Sequence, residues 1–224
     1  MSSNAKAHMI KLLIFDFDGT VADTAEDIVN ATNELFSKYN RAPVSDNTIR
    51  DHIGLGLHHL IADIFPEIQD EPKMSEKVSE DFIQIYEKHY LRSPKIFPGF
   101  ETLLDQWQHS VAIVSNKLER FLKPTVEHLG LNRYNWIHQF GRDSLEECKP
   151  HALPLLTCCQ AAGVKPEETL MIGDGLPDVG SALNAQIQCV AVDFGYSPTH
   201  RLIEAGAHHV IYSYDELPQV IAKL

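Results

Sequence analysis

Positive charge is scarce in this chain. Lys and Arg number 19 against 31 Asp and Glu in 224 residues, giving a formal net charge of −12. No cluster of Lys and Arg that could follow a phosphate backbone is present, which argues against a nucleic-acid partner. Long apolar runs are also missing: nothing approaches the roughly 18 residues a membrane span needs, so no membrane partner is expected. Residues 1–9 carry one lysine and no apolar run, unlike a signal peptide, and read as a frayed tail. The expected localisation is therefore cytoplasmic. Cysteine is sparse, with Cys158 and Cys159 adjacent and Cys148 and Cys189 far off, which makes neither a C-x-x-C pair nor a disulfide framework. Buried thiols are the expected state. The histidine doublets His58-His59 and His208-His209 lack metal-ligand spacing, so no zinc site is expected.

What the chain does have is an ordinary globular composition, 44% hydrophobic and 22% charged, with room for one sizeable core and a smaller satellite. Five short apolar or β-branched runs, at 12–17, 111–115, 169–173, 189–192 and 209–212, alternate with helical patterns. That alternation predicts an α/β fold with a mainly parallel sheet flanked by helices. After Asn116 a helix is expected to begin at Lys117, with Leu118, Phe121, Leu122, Val126 and Leu129 at helical spacing and Gly130 closing it. Pro124 inside that stripe implies a kink or a late start. Between about 24 and 92 no strand is found, only helical stripes: Ile28, Thr32, Leu35, Phe36 and Tyr39, then Leu57, Leu60, Ile61 and Ile64, then Val78, Phe82, Ile85 and Tyr86. This reads as an inserted helical cap domain, residues 23–92, on a core made of 1–22 and 93–224. Asp23 or Thr24 is the expected N-cap of its first helix. Ser93-Pro94 and Phe97-Pro98-Gly99 mark a hinge on the return, so the insertion would hang over the strand ends as a lid.

Leu12-Leu13-Ile14-Phe15 runs directly into Asp16-Phe17-Asp18-Gly19-Thr20, which delivers two carboxylates at the carboxyl end of a buried strand. Open α/β sheets bind ligands there. A carboxylate can attack phosphorus and split a hard hydrolysis into two easier steps, which makes Asp16 a candidate nucleophile. Two anions repel, so a hard divalent cation is required, and Asp16 and Asp174 are the expected Mg²⁺ ligands, with Asp178 behind them. Ser115-Asn116 at the end of the second strand offers a hydroxyl and N–H groups to an anion, and Lys149 in Lys149-Pro150 supplies a cation.

These segments, in this order, resemble the four motifs of the haloacid dehalogenase superfamily, in the branch similar to phosphoglycolate phosphatase and β-phosphoglucomutase. Asp16-Phe17-Asp18-Gly19-Thr20 matches the first motif, Ser115-Asn116 the second, Lys149-Pro150 the third, and Gly173-Asp174 with Asp178 the fourth. The resemblance extends to Phe97-Pro98-Gly99, Phe194-Gly195-Tyr196 and Ala205-Gly206-Ala207. It implies a Rossmann-like core with a helical cap and a Mg²⁺-dependent hydrolase acting on a small phosphorylated metabolite, phosphoglycolate-like, through a phosphoaspartate. It further implies that Asp16 is the nucleophile and that Asp18 is the general acid and base, which also gives its backbone carbonyl to the metal alongside Asp16 and Asp174. Gly19, Thr20, Ser115, Asn116 and Lys149 would surround the phosphoryl group. A carboxylate at Asp18 separates phosphatases from dehalogenases and ion-pumping ATPases, which place another residue there.

Two departures stand out: Gly175 where relatives often carry Ser or Thr, and Asn184-Ala185-Gln186 where they carry Ala-Gly. Gln186 must accept a backbone shape that glycine takes more easily, or the turn differs. Mutases of the superfamily place an acid where this chain has Gly173, which favours hydrolysis. The loop Arg50-Asp51-His52-Ile53-Gly54-Leu55-Gly56 is the candidate recognition element, with Arg50 or His52 meeting a substrate anion and Gly54 allowing close approach, or else it is a plain turn. The alternatives are a sugar-phosphate mutase, a pyrophosphatase, or a non-catalytic phosphometabolite-binding module. A monomer or weak homodimer is expected, since no helical stripe exceeds what core packing uses.

Overall fold

The computed structural model describes residues 9–224, so the expectation of a frayed leading tail, made for residues 1–9, lies outside the described residues except at residue 9. At its centre Leu12–Phe15 forms strand β1 with every residue fully buried. Leu13 and Phe15 pack on one face of the sheet and Leu12 and Ile14 on the other, the period-two pattern of a strand covered on both sides. There follow β2 (Ala22–Asp23), α1 (Ala25–Lys38), α2 (Asp46–Arg50), α3 (Leu57–Ile64), α4 (Pro72–Tyr86), β3 (Lys95–Ile96), α5 (Phe100–Gln106) and β4 (Ser110–Val114). The second half contains α6 (Glu119–His128), β5 (Trp136–Phe140), α7 (Leu153–Ala162), β6 (Thr169–Gly173), α8 (Leu176–Ala185), β7 (Gln188–Val192), α9 (Thr199–Glu204), β8 (His209–Ile211) and α10 (Leu217–Ile221).

Six strands pair in parallel in the order β5-β4-β1-β6-β7-β8. Phe15 stands opposite Ile113 on one side and Ile172 on the other, so the ends of β4, β1 and β6 come level. From β1 the chain moves outward through β4 and β5, then returns to the far side of β1 and moves outward again. The direction therefore reverses between β1 and β6, and the crevice above such a switch point is where a doubly wound sheet takes its ligand. Phe100, Leu104, Leu122, Val126 and Leu217 from α5, α6 and α10 cover one face. Leu155, Val179, Ala182 and Leu202 from α7, α8 and α9 cover the other.

Helices α1 to α4 form the inserted cap around a cluster of their own that includes Leu35, Phe36, Ile61, Val78 and Phe82. The chain enters and leaves it through a short antiparallel ribbon, β2 against β3, with Ala22 opposite Ile96. Asp27 of α1 clamps that neck, its Oδ2 accepting the N–H groups of Arg92 and Ser93 at 3.1 Å each.

Three local differences from the sequence reading have physical causes. Strand β5 was not expected because Trp-Ile-His-Gln-Phe sits half-buried at the sheet edge and shows no clear alternation. Helix α6 begins at Glu119, not at Lys117, and carries Pro124 in its interior, while Gly130 (φ 71°) closes it as expected. Thr24 is the N-cap residue of α1 but gives it no side-chain hydrogen bond, since its hydroxyl is used elsewhere. Cys158, Cys159 and Cys189 are buried free thiols and Cys148 is a half-buried one. Among the described residues no helix is long and apolar enough to cross a membrane.

Candidate active site

Three neighbouring strand ends deliver the site. Asp16 follows β1 and is still tied into the sheet, its N–H donating to the Ile172 carbonyl at 2.9 Å. Ser115 follows β4 and donates its N–H to the Phe140 carbonyl at 2.9 Å. Asp174 follows β6 directly. Because these anchors are backbone bonds, the side chains beyond them start from fixed positions.

Asp16, Asp174 and Asp178 each present a carboxylate oxygen, all within 4.8 Å of one another and all buried. Lys149 Nζ lies 2.9 Å from Asp16 Oδ1 and 2.5 Å from Asp178 Oδ1. The other Asp178 oxygen accepts the Gly175 N–H at 2.8 Å, which also caps the start of α8. Asp174 is held on both oxygens, by the Thr20 hydroxyl at 2.8 Å and by the Tyr196 N–H at 2.8 Å. Glycine is required around this cluster. A Cβ at Gly19 or Gly195 would run into Asp174, and one at Gly173 into the Asp178 carboxyl.

Burial pushes the Asp16 carboxyl well above its usual range, and the negative charges of Asp178 and Asp174 push it the same way against Lys149. Asp174 is raised as well, first by burial and then by Asp178. Four buried carboxylates, those of Asp16, Asp18, Asp174 and Asp178, face two buried ammonium groups, Lys117 and Lys149. Hard oxygen donors crowded together with unbalanced negative charge fit a divalent cation such as Mg²⁺, which Asp16 and Asp174 would hold with Asp178 in reach.

Asp18 stands on the cap side of this cluster. Its Oδ1 accepts the Thr24 hydroxyl at 2.6 Å and Lys117 Nζ at 2.9 Å, and Lys117 also reaches Oδ2 at 3.2 Å. Lys117 Nζ donates in addition to the Tyr86 hydroxyl from α4 at 2.6 Å, joining cap to core. Burial alone would lower the Lys117 pKa, but Asp18 and Tyr86 outweigh it and hold the ammonium above its ordinary value. Above Asp18 opens a cavity whose floor is Asp16, Asp18, Ser115, Asn116 and Lys117 and whose roof is the cap.

Not every residue singled out from the sequence faces that cavity. Ser115 and Asn116 do, with Asn116 Nδ2 donating to the Lys149 carbonyl at 3.2 Å and to the Gly54 carbonyl at 3.3 Å. Asn116 Oδ1 is buried with no partner. Lys149 lies beneath, between Asp16 and Asp178. Gly19 and the fully buried Thr20 turn to Asp174: the Thr20 hydroxyl positions that carboxylate, and the N–H groups of both residues bond within their own turn. In the 50–56 loop, His52 and Gly54 reach the cavity wall, and His52 Nδ1 lies 3.0 Å from Asp63. Arg50 points elsewhere, with its nearest guanidinium nitrogen 3.8 Å from Asp23 and the group 5.7 Å from the Tyr196 ring centre.

Sequence reading placed none of Thr24, Tyr86, Lys117 or Tyr196 in the site: Thr24 was a candidate helix cap, Lys117 a helix start, Tyr86 a core position and Tyr196 part of a matching segment. Lys117 sits directly after Ser115-Asn116, which was a usable signal, whereas Tyr86 reads as one more core position in its stripe. Tyr196 places its hydroxyl 2.9 Å from Asp23 Oδ1 and accepts the Thr24 N–H at 2.8 Å, so it braces the neck as well as Asp174.

A family model described as haloacid dehalogenase-like hydrolase matches residues 13–192. The chain is 35% identical over 215 residues to a phosphoglycolate phosphatase of Chromobacterium violaceum, covering 93% of this chain and 95% of that one. It is 30% identical over 194 residues to an N-acetylmuramic acid 6-phosphate phosphatase of Pseudomonas aeruginosa, covering 85% of each. A solved haloacid dehalogenase-like hydrolase of Streptococcus pneumoniae shares the fold at TM-score 0.84 and 21% identity, over 95% of this chain and 98% of that one. A hydrolase of Pseudomonas syringae does so at TM-score 0.78 and 24% identity, over 96% and 99%.

Proposed function

This chain belongs to the haloacid dehalogenase-like hydrolases, and we propose that it is a Mg²⁺-dependent phosphatase of small phosphomonoesters in which Asp16 carries the phosphoryl group. The observation that supports this most is the meeting of Asp16, Asp174 and Asp178 with Lys149 at the sheet's switch point, beside a cavity that also exposes Asp18. An Asp16 oxygen forms a bond to phosphorus as the ester P–O bond breaks, and Asp18 gives its proton to the departing alkoxide. Water then loses a proton to Asp18 and attacks phosphorus, the Asp16 O–P bond breaks, and phosphate leaves. The Ser115 hydroxyl and the Asn116 backbone N–H hold phosphoryl oxygens over the floor, Lys149 keeps Asp16 aimed, and Lys117 with Thr24 fixes Asp18. Bound Mg²⁺ would offset the charge of Asp16, Asp174 and the phosphoryl oxygens, letting two anions approach.

In this reading residues 23–92 are the cap and 1–22 with 93–224 the catalytic core, which acts in the cytoplasm as a monomer or weak homodimer. Gly173 stands where mutases of the superfamily place an acid, and a Cβ there would run into the Asp178 carboxyl, so the absence of that acid supports hydrolysis over phosphoryl return to a sugar. The test is phosphate release from an aryl phosphate with and without Mg²⁺. Turnover is expected in the wild type, with none after EDTA and none in Asp16→Asn. Activity that survives both treatments contradicts the mechanism.

A further inference from the structure

The cavity over Asp18 is walled largely by hydrocarbon. Ile53, Leu57, Leu60, Phe82 and Ile83 come from the cap and Leu118 from the core. Among the described side chains two basic ones line it, and each already has a partner: Lys117 has Asp18 and Tyr86, and His52 has Asp63. Arg50, the other basic residue of that loop, lies outside the lining beside Asp23 and Tyr196. A Cβ at Gly56 would meet the Arg142 guanidinium at 3.2 Å, but that group stands outside the lining. A carboxylate or second phosphate on the leaving group would therefore lose its water among hydrocarbon and, among the described lining side chains, meet no free positive charge. An alkyl or aryl group would instead remove apolar surface from water on both sides.

Resting on the phosphatase reading above, we propose that the leaving group of the substrate is an uncharged hydrophobic alcohol, so that the ester is an alkyl or aryl phosphate and not a carboxylated one. The phosphoryl group sits on the polar floor and the hydrocarbon rises into the cap. This separates the chain from the carboxylated substrate that the name of its Chromobacterium relative suggests.

Ethyl, butyl and hexyl phosphate release alcohols of similar acidity, so along that series the main variable is apolar surface. kcat/KM is expected to rise about two- to fourfold per methylene until the cavity is full, and 2-phosphoglycolate is expected to fall below butyl phosphate. A flat series, or 2-phosphoglycolate above hexyl phosphate, overturns the proposal. The matching alkylphosphonates cannot be hydrolysed, and their calorimetric affinity in Mg²⁺ buffer should climb with the same slope. Binding that climbs without any turnover contradicts the phosphatase reading and leaves the pocket assignment standing. Turnover with no slope in either series does the reverse, and absence of both overturns both. Leu57→Asn, at a half-buried position in the first turn of α3, is expected to flatten both slopes; slopes equal to the wild type remove this wall from the site.

Discussion

Gln186 shows how a departure from family pattern is absorbed at one residue. It takes the left-handed conformation itself, φ 58° and ψ 37°, closing α8 where glycine would do so without a Cβ penalty. Gln186→Gly is expected to raise the unfolding free energy by about 0.5–1 kcal/mol, as read from urea melts, and a fall would mean that the side chain does more than bear strain. Gly173 is the opposite case. Its Cβ would occupy the space of the Asp178 carboxyl, so Gly173→Ala should lower phosphate release sharply while the far-ultraviolet spectrum stays native; wild-type kinetics would show that Asp178 can move freely. At this scale the sequence was most legible where one short segment carries the chemistry, as at Asp16 and Asp18. It was least legible where a side chain reaches across the fold, because no local pattern marks Tyr86 or Tyr196 as neighbours of residues near 18 and 174.

Elements were legible in proportion to their apolar periodicity. The stripes of α1, α3 and α4 identify the cap because their buried residues recur at helical spacing, and β1 stands out because all its residues are buried. Strand β5 and the β2–β3 ribbon lack such a signal, being half-buried or two residues long. Within the cap, α1 and α4 are joined at Asp81, which Lys38 contacts at 2.9 Å, Tyr39 at 2.8 Å and Lys77 at 3.1 Å. Hydrogen bonding by Lys38, then by Tyr39 and Lys77, lowers the Asp81 pKa to about 2 against the opposing effect of burial. The unfolded chain titrates near ~3.9, so this stabilisation is fully present above that pH and is lost as pH falls through about 2. Asp81→Asn should therefore cost about 1–2 kcal/mol at pH 7 and almost nothing at pH 2, seen as two stability curves that converge on acidification. Curves that stay parallel would assign the cost to packing.

The whole molecule carries a net charge of −12 and still gathers four carboxylates at one sheet edge. Such a site is an electrostatic liability for the fold unless a cation joins it, which links metal binding to stability. Mg²⁺ at about a hundred times its dissociation constant should stabilise the wild type by about 2.7 kcal/mol. Asp174→Asn should reduce that gain and shift the melting midpoint less; an equal shift in both proteins would place the cation elsewhere. The division into sheet core and helical cap was readable from pattern. The closure of the cap through Lys117 and Tyr86 was not, since it depends on where two distant segments meet.

The central claim is that Asp16 receives the phosphoryl group and Asp18 governs its release. Acid quenching of Asp18→Asn during reaction with an aryl phosphate, whose phenolate leaves without needing a proton, followed by mass analysis of peptides, tests it most directly. The account predicts a phosphorylated peptide containing Asp16 that accumulates in this variant, is sensitive to hydroxylamine, and never forms in Asp16→Asn. A variant that releases phosphate while no protein-bound phosphate forms at residue 16 would contradict it.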